Sequence, residues 1–414
     1  MSHLSYMEKL LDGVEVERKK LSEIFNLKNG YTPSKSKKEF WENGQIPWFR
    51  MDDIRENGQI LNDSLQKVSK SAVKGGKLFP ADSIIISTSA TIGEHALVTV
   101  PFLANQRFTN LSLKPAYTSR FNMKFIFYYG FLLAEWCKNN TTVSSFASVD
   151  MNWFRELQIP IPPLNVQAEI VRILDTFTEL TAELTAELTA RQQQYAYYRE
   201  QLLTFEEGEV QHLPMGTKGV GEFVRGKGLQ KKDFTNAGVG CIHYGQIYTQ
   251  YNTYAYKTQS FVSSEFAEKA RKAQQGNLVI ATTSENDEDL CKAVAWLGSE
   301  EIAISNDACI YKHTLDPKFV SYFFQTEQFQ EQKRQYITGT KVRRVNADNL
   351  AKIKIPVPSM LEQQRIVSIL DKFDALTTSL TEGLPREIEL RQQQYEYYRD
   401  LLLSFPKPEV VTHD

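Results

Sequence analysis

The chain has 414 residues, 42% hydrophobic, 12% aromatic and 24% charged, with a formal net charge of −2. One core rarely serves more than about 250–300 residues, so two or more domains are expected, and the balanced charge does not by itself announce a nucleic-acid binder. No apolar run reaches the roughly 18 residues of a membrane span, the opening MSHLSYMEKLLDGVEVERKK lacks a signal's apolar core, and Cys137, Cys241, Cys291 and Cys309 form no C-x-x-C or metal-ligand spacing, which points to the cytoplasm.

In chain order, the first block offers a strand entering a turn (QIPWFRMDDI), a β-rich apolar run (ADSIIISTSATIG) and a later strand pair (ANQRFTNLSLKP). An aromatic helix (NMKFIFYYGFLLAEW) and an Ile-Pro-x-Pro exit come next. The same order returns after residue 206 as VGCIHYGQIY, QGNLVIATTSEND, ISNDACIYKH and DPKFVSYFFQTEQF, with hardly any shared residues. The segments after each block are repeated almost verbatim. RQQQYAYYREQLLTF (Arg191 to Phe205) and RQQQYEYYRDLLLSF (Arg391 to Phe405) agree at eleven of fifteen positions. Duplication followed by divergence of the blocks fits two recognition modules with different targets; neutral divergence gives the same pattern.

The repeated segments predict long helices. Ile170, Leu174, Phe177, Thr181, Leu184, Leu188, Arg191, Tyr195, Tyr198 and Leu202 alternate steps of four and three, a heptad seam. No Gly or Pro interrupts residues 167–205, a rod of about 58 Å. The second copy carries Ile366, Leu370, Phe373, Thr377, Leu380, Leu384 and Ile388 before rejoining at Arg391, Tyr395, Tyr398 and Leu402. Its four extra residues form a stutter, and Gly383 and Pro385 there predict a kink or an irregular turn. The fold class is therefore α+β: two α/β blocks separated by a pair of long helices in an antiparallel coiled coil, with a pseudo-twofold internal repeat. The boundaries are residues 1–158, first block; 159–205, first helical spacer; 206–354, second block; and 355–414, second spacer and tail.

Within the first spacer, Glu179 to Ala190 reads ELTAELTAELTA. Each tetrapeptide changes a helix by about 6 Å and about 40°, against about 3.4 Å and about 34° per DNA base pair. One unit is a step that shifts two DNA-reading modules by one or two base pairs. Replication slippage accounts for how the array arose without removing that consequence.

This arrangement resembles the specificity subunits of type I restriction-modification systems, and the tetrapeptide array with PREIELRQQQYEYYRDLLLSFPKPE is similar to the type IC subclass. The resemblance is also clear at GYTPSKSKKEFWENGQIPWFRMDDI. It implies that each block is a target recognition domain reading one half of a bipartite asymmetric site in double-stranded DNA. The helices would dock two modification (methyltransferase) subunits, with restriction (motor-nuclease) subunits joining. S-adenosylmethionine, ATP and Mg²⁺ would belong to those partners, this chain being non-catalytic and holding no cofactor.

Catalytic motifs are indeed not found. No Asn/Asp-Pro-Pro-aromatic tetrapeptide occurs and the six histidines are scattered. GEFVRGKG (Gly221 to Gly228) has phosphate-loop spacing, but Gly228 replaces the Ser/Thr and no apolar strand leads into it, so a glycine-flexible DNA-contact loop is the better reading. DNA contacts require Lys and Arg for phosphates and Arg, Lys, Asn, Gln or His for base edges. The first block supplies Lys35, Lys37, Lys38, Arg50, Gln106 and Arg107. The second supplies Arg225, Lys227, Lys231, Lys232, His243, Tyr244, Gln246, Lys341, Arg343 and Arg344. Tyr195 and Tyr198 lie on the seam and are expected in the core between the rods. Tyr197 and Tyr397 lie off it and, with Arg199 and Arg399, are the expected partner-binding positions. An assembly scaffold that tethers two enzymes without touching DNA is the alternative.

Overall fold

A computed structural model describes residues 3–142, 147–379 and 382–405. The chain divides into two compact units, Met1–Ala182 with Leu390–Asp414, and Glu183–Glu389. The helices that carry or flank the candidate sites are α1 (Met123–Asn139), α2 (Leu164–Leu203), α3 (Pro317–Phe323), α4 (Met360–Thr378) and α5 (Gly383–Leu403).

The first unit holds a five-stranded sheet, in the order Phe25–Asn29, Phe108–Leu113, Ser83–Ser87, His95–Val98 and Ile60–Leu61. The last pair is parallel and the others antiparallel. Beside it, Ile46–Phe49 pairs parallel with Leu103–Ala104 and antiparallel with Lys67–Val68. The buried run Ser83–Ser87 has no exposed residue, which is why its sequence reads as continuous apolar β-branched chain rather than alternation. Helix α1 covers this sheet, capped at Asn122, whose side chain accepts from the Lys124 amide. Gly130 admits the His95 ring, since a Cβ there would stand 2.6 Å from His95 Cδ2.

The second unit repeats the plan. Its five-stranded sheet runs Gly221–Arg225, Ala308–His313, Leu278–Ala281, Ala293–Trp296 and Tyr254–Ala255, again with only the last pair parallel. Val239–Ile242 pairs parallel with Ile302–Ile304, as Ile46–Phe49 does with Leu103–Ala104. Helix α3 stands where α1 does, started by Asp316 as N-cap and Pro317 in the first turn. Each Ile-Pro-x-Pro exit closes a two-stranded ribbon, Glu17–Lys20 with Gln158–Ile161 and Gln211–Pro214 with Lys354–Val357.

Identical side-chain clusters dock each spacer helix onto its module. Lys124 Nζ lies 2.7 Å from Asp175, to which Tyr128 donates at 2.7 Å. Lys318 and Tyr322 treat Asp371 the same way at 2.7 and 2.6 Å. Gln167 accepts from the Asn122 amide and donates to the Pro162 carbonyl, and Gln363 does so with Asp316 and Pro358.

The expected helix pairing is present inside each unit. In the first, Phe177 of α2 stacks on Tyr398 of α5 at 5.5 Å between ring centroids. In the second, Tyr195 and Tyr198 stack on Phe373 of α4 at 6.1 and 5.5 Å. The seam is unevenly buried. Ile170, Leu174, Ile366 and Leu370 are fully buried, whereas no α2 residue between Leu174 and Tyr195 is. Tyr195 is core, but Tyr198 and Tyr398 are 39% and 42% exposed, so Tyr198 sits at the margin of the pairing rather than within the expected core. At the stutter, where a kink or an irregular turn is expected, α4 ends at Thr378 and α5 begins at Gly383 with φ +78°, so the helix is interrupted there. Leu380 lies outside the described residues, as does the tail after Phe405.

Candidate nucleic-acid interface

In the first unit the glycine after the edge strand fixes the site. The Gly30 amide bonds to the Phe108 carbonyl at 2.9 Å and the Tyr31 amide to that of Ala104 at 2.8 Å. A Cβ at Gly30 would stand 2.2 Å from the Asn105 carbonyl, so only glycine fits. The loop beyond it is stitched to the next turn, with the Thr32 hydroxyl donating to Gln106. Arg50 occupies the N-cap of the helix Met51–Asn57, its amide held at 2.6 Å by Asp53, which also accepts from Leu65. Asp53 is fully buried, and burial raises its pKa. The Arg50 guanidinium lies 5.7 Å over the Trp48 ring.

The result is a cleft of about 670 Å³ that gathers Lys35, Lys38, Arg50, Gln106 and Arg107. Five of the six cationic and amide candidates in this block thus converge on one surface. The sixth, Lys37, instead lies 5.0 Å over the Phe40 ring.

The second unit builds the same frame from other residues. The Gly226 amide bonds to the Ala308 carbonyl at 2.9 Å and that of Lys227 to Ile304 at 3.2 Å, and a Gly226 Cβ would meet the Ser305 carbonyl at 2.0 Å. His243 takes the N-cap position of Arg50, and Gln246 takes that of Asp53, accepting from the His243 amide at 2.9 Å. Gln246 is 6% exposed and donates to Gln250 and Ser260, so it braces the cap rather than facing outward. The Tyr244 ring packs 4.6 Å from that of His243, and burial lowers the His243 pKa, with Lys231 acting in the same direction. Lys231 and Lys232 lie on an exposed single turn.

A smaller cleft of about 220 Å³ holds Arg225 and Arg344 beside Asp307. Arg225 is anchored through Nε to the Asn306 carbonyl at 3.0 Å. Arg343 is drawn into an ion pair with Asp287 at 2.9 Å and a bond to the Gly339 carbonyl, while Lys341 is exposed. As expected from sequence, no strand leads into GEFVRGKG: residues 215–220 form a turn, and the strand Gly221–Arg225 is the first part of the motif itself. The loop runs into a single 3₁₀ turn at Lys231–Asp233 and not the helix N-terminus a phosphate loop needs.

Of the helix candidates, Tyr197 and Tyr397 are 61% and 62% exposed. Arg199 and Arg399 are instead largely covered. Arg199 lies over the Tyr195 ring and donates to Gln325, and Arg399 lies 4.7 Å over Phe131.

Sequence reading missed Trp48, Asp53, Asn306 and Asp307. The signal for the last two was an Asn-Asp pair opening a strand, which marks a turn, but no shared residue aligned it with Gln106 and Arg107. Among the described residues no group of three or more His, Cys, Asp or Glu could hold a metal ion, and no helix is long and apolar enough to cross a membrane. The four cysteines are buried and free, with burial pushing each thiol up to about 12.

The chain thus holds two modules of one topology, each with a polar cleft and each docked on a spacer helix. The profile of the type I restriction modification DNA specificity domain matches residues 13–191 and again 215–390. The chain is 47% identical over 404 residues to the type I restriction enzyme EcoprrI specificity subunit of Escherichia coli, covering 92% of this chain and 93% of that one. It is 34% identical to the EcoR124I/EcoR124II specificity subunit of the same species, over the whole of both chains. Among solved structures, one described as the structural basis of complex assembly and conformational transition of the type I R-M system aligns with a TM-score of 0.62 at 13% identity, covering 94% of this chain and 98% of that one. The HsdS subunit from Thermoanaerobacter tengcongensis aligns at 0.51 and 13%, covering 94% and 96%. The chain belongs to the specificity subunits of type I restriction-modification systems and is type IC-like. It is the non-catalytic DNA specificity component, with two target recognition domains.

Proposed function

We propose that residues 1–158 and 206–354 each read one half of a bipartite asymmetric site in double-stranded DNA. Residues 159–205 and 355–414 act as spacers that set the separation and dock two modification subunits. Restriction subunits join that assembly, and S-adenosylmethionine, ATP and Mg²⁺ act in the partners, in the cytoplasm. The observation that carries this reading is the shared frame with exchanged side chains: Arg50 against His243 at the helix cap, and a basic cleft in each unit. Lys35, Lys38, Arg225 and Arg344 supply phosphate contacts, while Gln106 and Arg107 reach base edges. Lys37, Lys227, Lys231, Lys232, Lys341 and Arg343 add positive field at the margins, and His243 and Tyr244 shape the second site around the braced Gln246. Exposed Tyr197 and Tyr397 are the matching docking positions, with Arg199 and Arg399 holding the helix face that presents them.

The net charge of −2 favours the other reading, a scaffold without DNA contact. Binding of the assembled complex to duplex DNA as a function of salt separates the two. Charge reversal at Lys35, Lys38, Lys341 and Arg344 is expected to weaken binding and flatten the salt slope by about one unit per lost contact. Unchanged affinity and slope would favour the scaffold.

A further inference from the structure

The two units can be superposed residue by residue through their backbone hydrogen bonds, although their sequences do not align at this point. Gly30 and Gly226 bond to the carbonyls of Phe108 and Ala308, each at 2.9 Å. The amides of Thr88 and Thr282 bond to the carbonyls of Arg107 and Asp307, at 2.9 and 3.0 Å. The amides of Phe108 and Ala308 return to Asn105 and Ser305, at 3.2 and 3.1 Å. Asp307 therefore stands where Arg107 stands, and Asn306 where Gln106 stands.

We propose that this pair of positions determines specificity: Asp307 accepts a hydrogen bond from a base amino group, cytosine N4 foremost, and Arg107 donates to guanine. The inference rests on each unit reading DNA. A carboxylate beside a phosphate backbone is repelled, so it gains nothing from sequence-independent binding; its favourable partner on duplex DNA is an exposed base donor. The turn does not require an acid, because the same turn closes with Arg107, whose side chain is exposed. Nor is the acid consumed internally. Its carboxylate accepts one long bond, from Thr283 Oγ1 at 3.4 Å, and among the described residues it makes no ion pair, although Arg225 and Arg344 line the same cleft. Those two arginines offset the repulsion, and the half-buried carboxylate lines the cleft with acceptor capacity to spare. The charge of Asp307 also acts on His243, the counterpart of Arg50, where it partly opposes the downward effect of burial on the His243 pKa.

The test uses the reconstituted complex with its modification subunits, assayed for methylation on duplexes in which each base of the site is varied singly. Asp307→Ala is expected to cut discrimination at one C·G position of one half-site by roughly tenfold or more, leaving the other half-site and the separation unchanged. Asp307→Asn retains size and one acceptor and is expected to keep methylation while shifting preference at that position toward adenine, the base an amide reads with two bonds. Arg107→Gln should act only on the opposite half-site. Full discrimination in an assembled Asp307→Ala complex overturns the proposal. So does a loss of methylation in both variants with no change in base preference. Exchange of residues 206–354 for another module, run alongside, separates the failures. If the exchange alters a half-site and Asp307→Ala does not, Asp307 is no reader but the module is; if neither alters one, the reading of DNA by this unit falls.

Discussion

Asp371 shows how much one side chain in the repeated motif carries. It takes the Lys318 ammonium and the Tyr322 hydroxyl, and Tyr322 is fully buried. Asp371→Ala leaves that hydroxyl unsatisfied and Lys318 without its carboxylate, a loss of about 2–4 kcal/mol in urea unfolding. Asp371→Asn, which still accepts, is expected to lose less. Asp175 predicts the same in the first unit. Two buried histidines set the acid limit. Burial pushes His95 and His313 down to about 4, so both are neutral in the folded chain, while the unfolded chain takes up protons near the ordinary histidine value of 6.5. The stability they contribute is complete above that value and is lost as pH falls through it toward 4, about 2 kcal/mol each at about pH 5. Urea midpoints across that window should drop for the natural chain and drop less for His95→Asn with His313→Asn. None of this is legible in the sequence. The motif displays Gln167 and Asp175 without their partners, which lie some 40 to 50 positions upstream on a helix that sequence alone reads only as aromatic.

At the scale of elements the heptad seam is buried at the ends of α2 and loosens between them. Ile170 and Leu174 are buried by Phe125, Tyr128 and their neighbours in the first module, so much of the apolar seam serves module docking as well as rod pairing. A period cannot tell one buried partner from another, and for that reason it assigns Tyr198 to a core that this residue only borders. The tetrapeptide array lies where α2 has no fully buried residue. Inserting one more TAEL unit should therefore leave folding intact, with a change in unfolding midpoint near zero. It should lengthen the DNA separation by one or two base pairs while both half-sites stay the same, which methylation mapping reads directly. A changed half-site would show that the array does more than space. The break between Thr378 and Gly383 is legible in Gly383 and Pro385, whose positive φ and missing amide a continuous helix does not accommodate.

For the whole molecule, duplication is plain in the chain because the spacer segments repeat almost verbatim while the blocks share hardly any residues. The candidate site is legible in the first block, where Lys35 and Lys38, close in sequence, meet Arg50, Gln106 and Arg107 in one cleft. It is only half legible in the second, where backbone hydrogen bonds rather than residues preserve the frame and put Asn306 and Asp307 at the site. The central claim is that two dissimilar modules read independently. The measurement that tests it most directly is genome-wide methylation mapping in cells whose complex carries a foreign module in place of residues 206–354. The account predicts one half-site replaced, the other retained and the separation unchanged. A methylated sequence identical to that of the natural chain would contradict it.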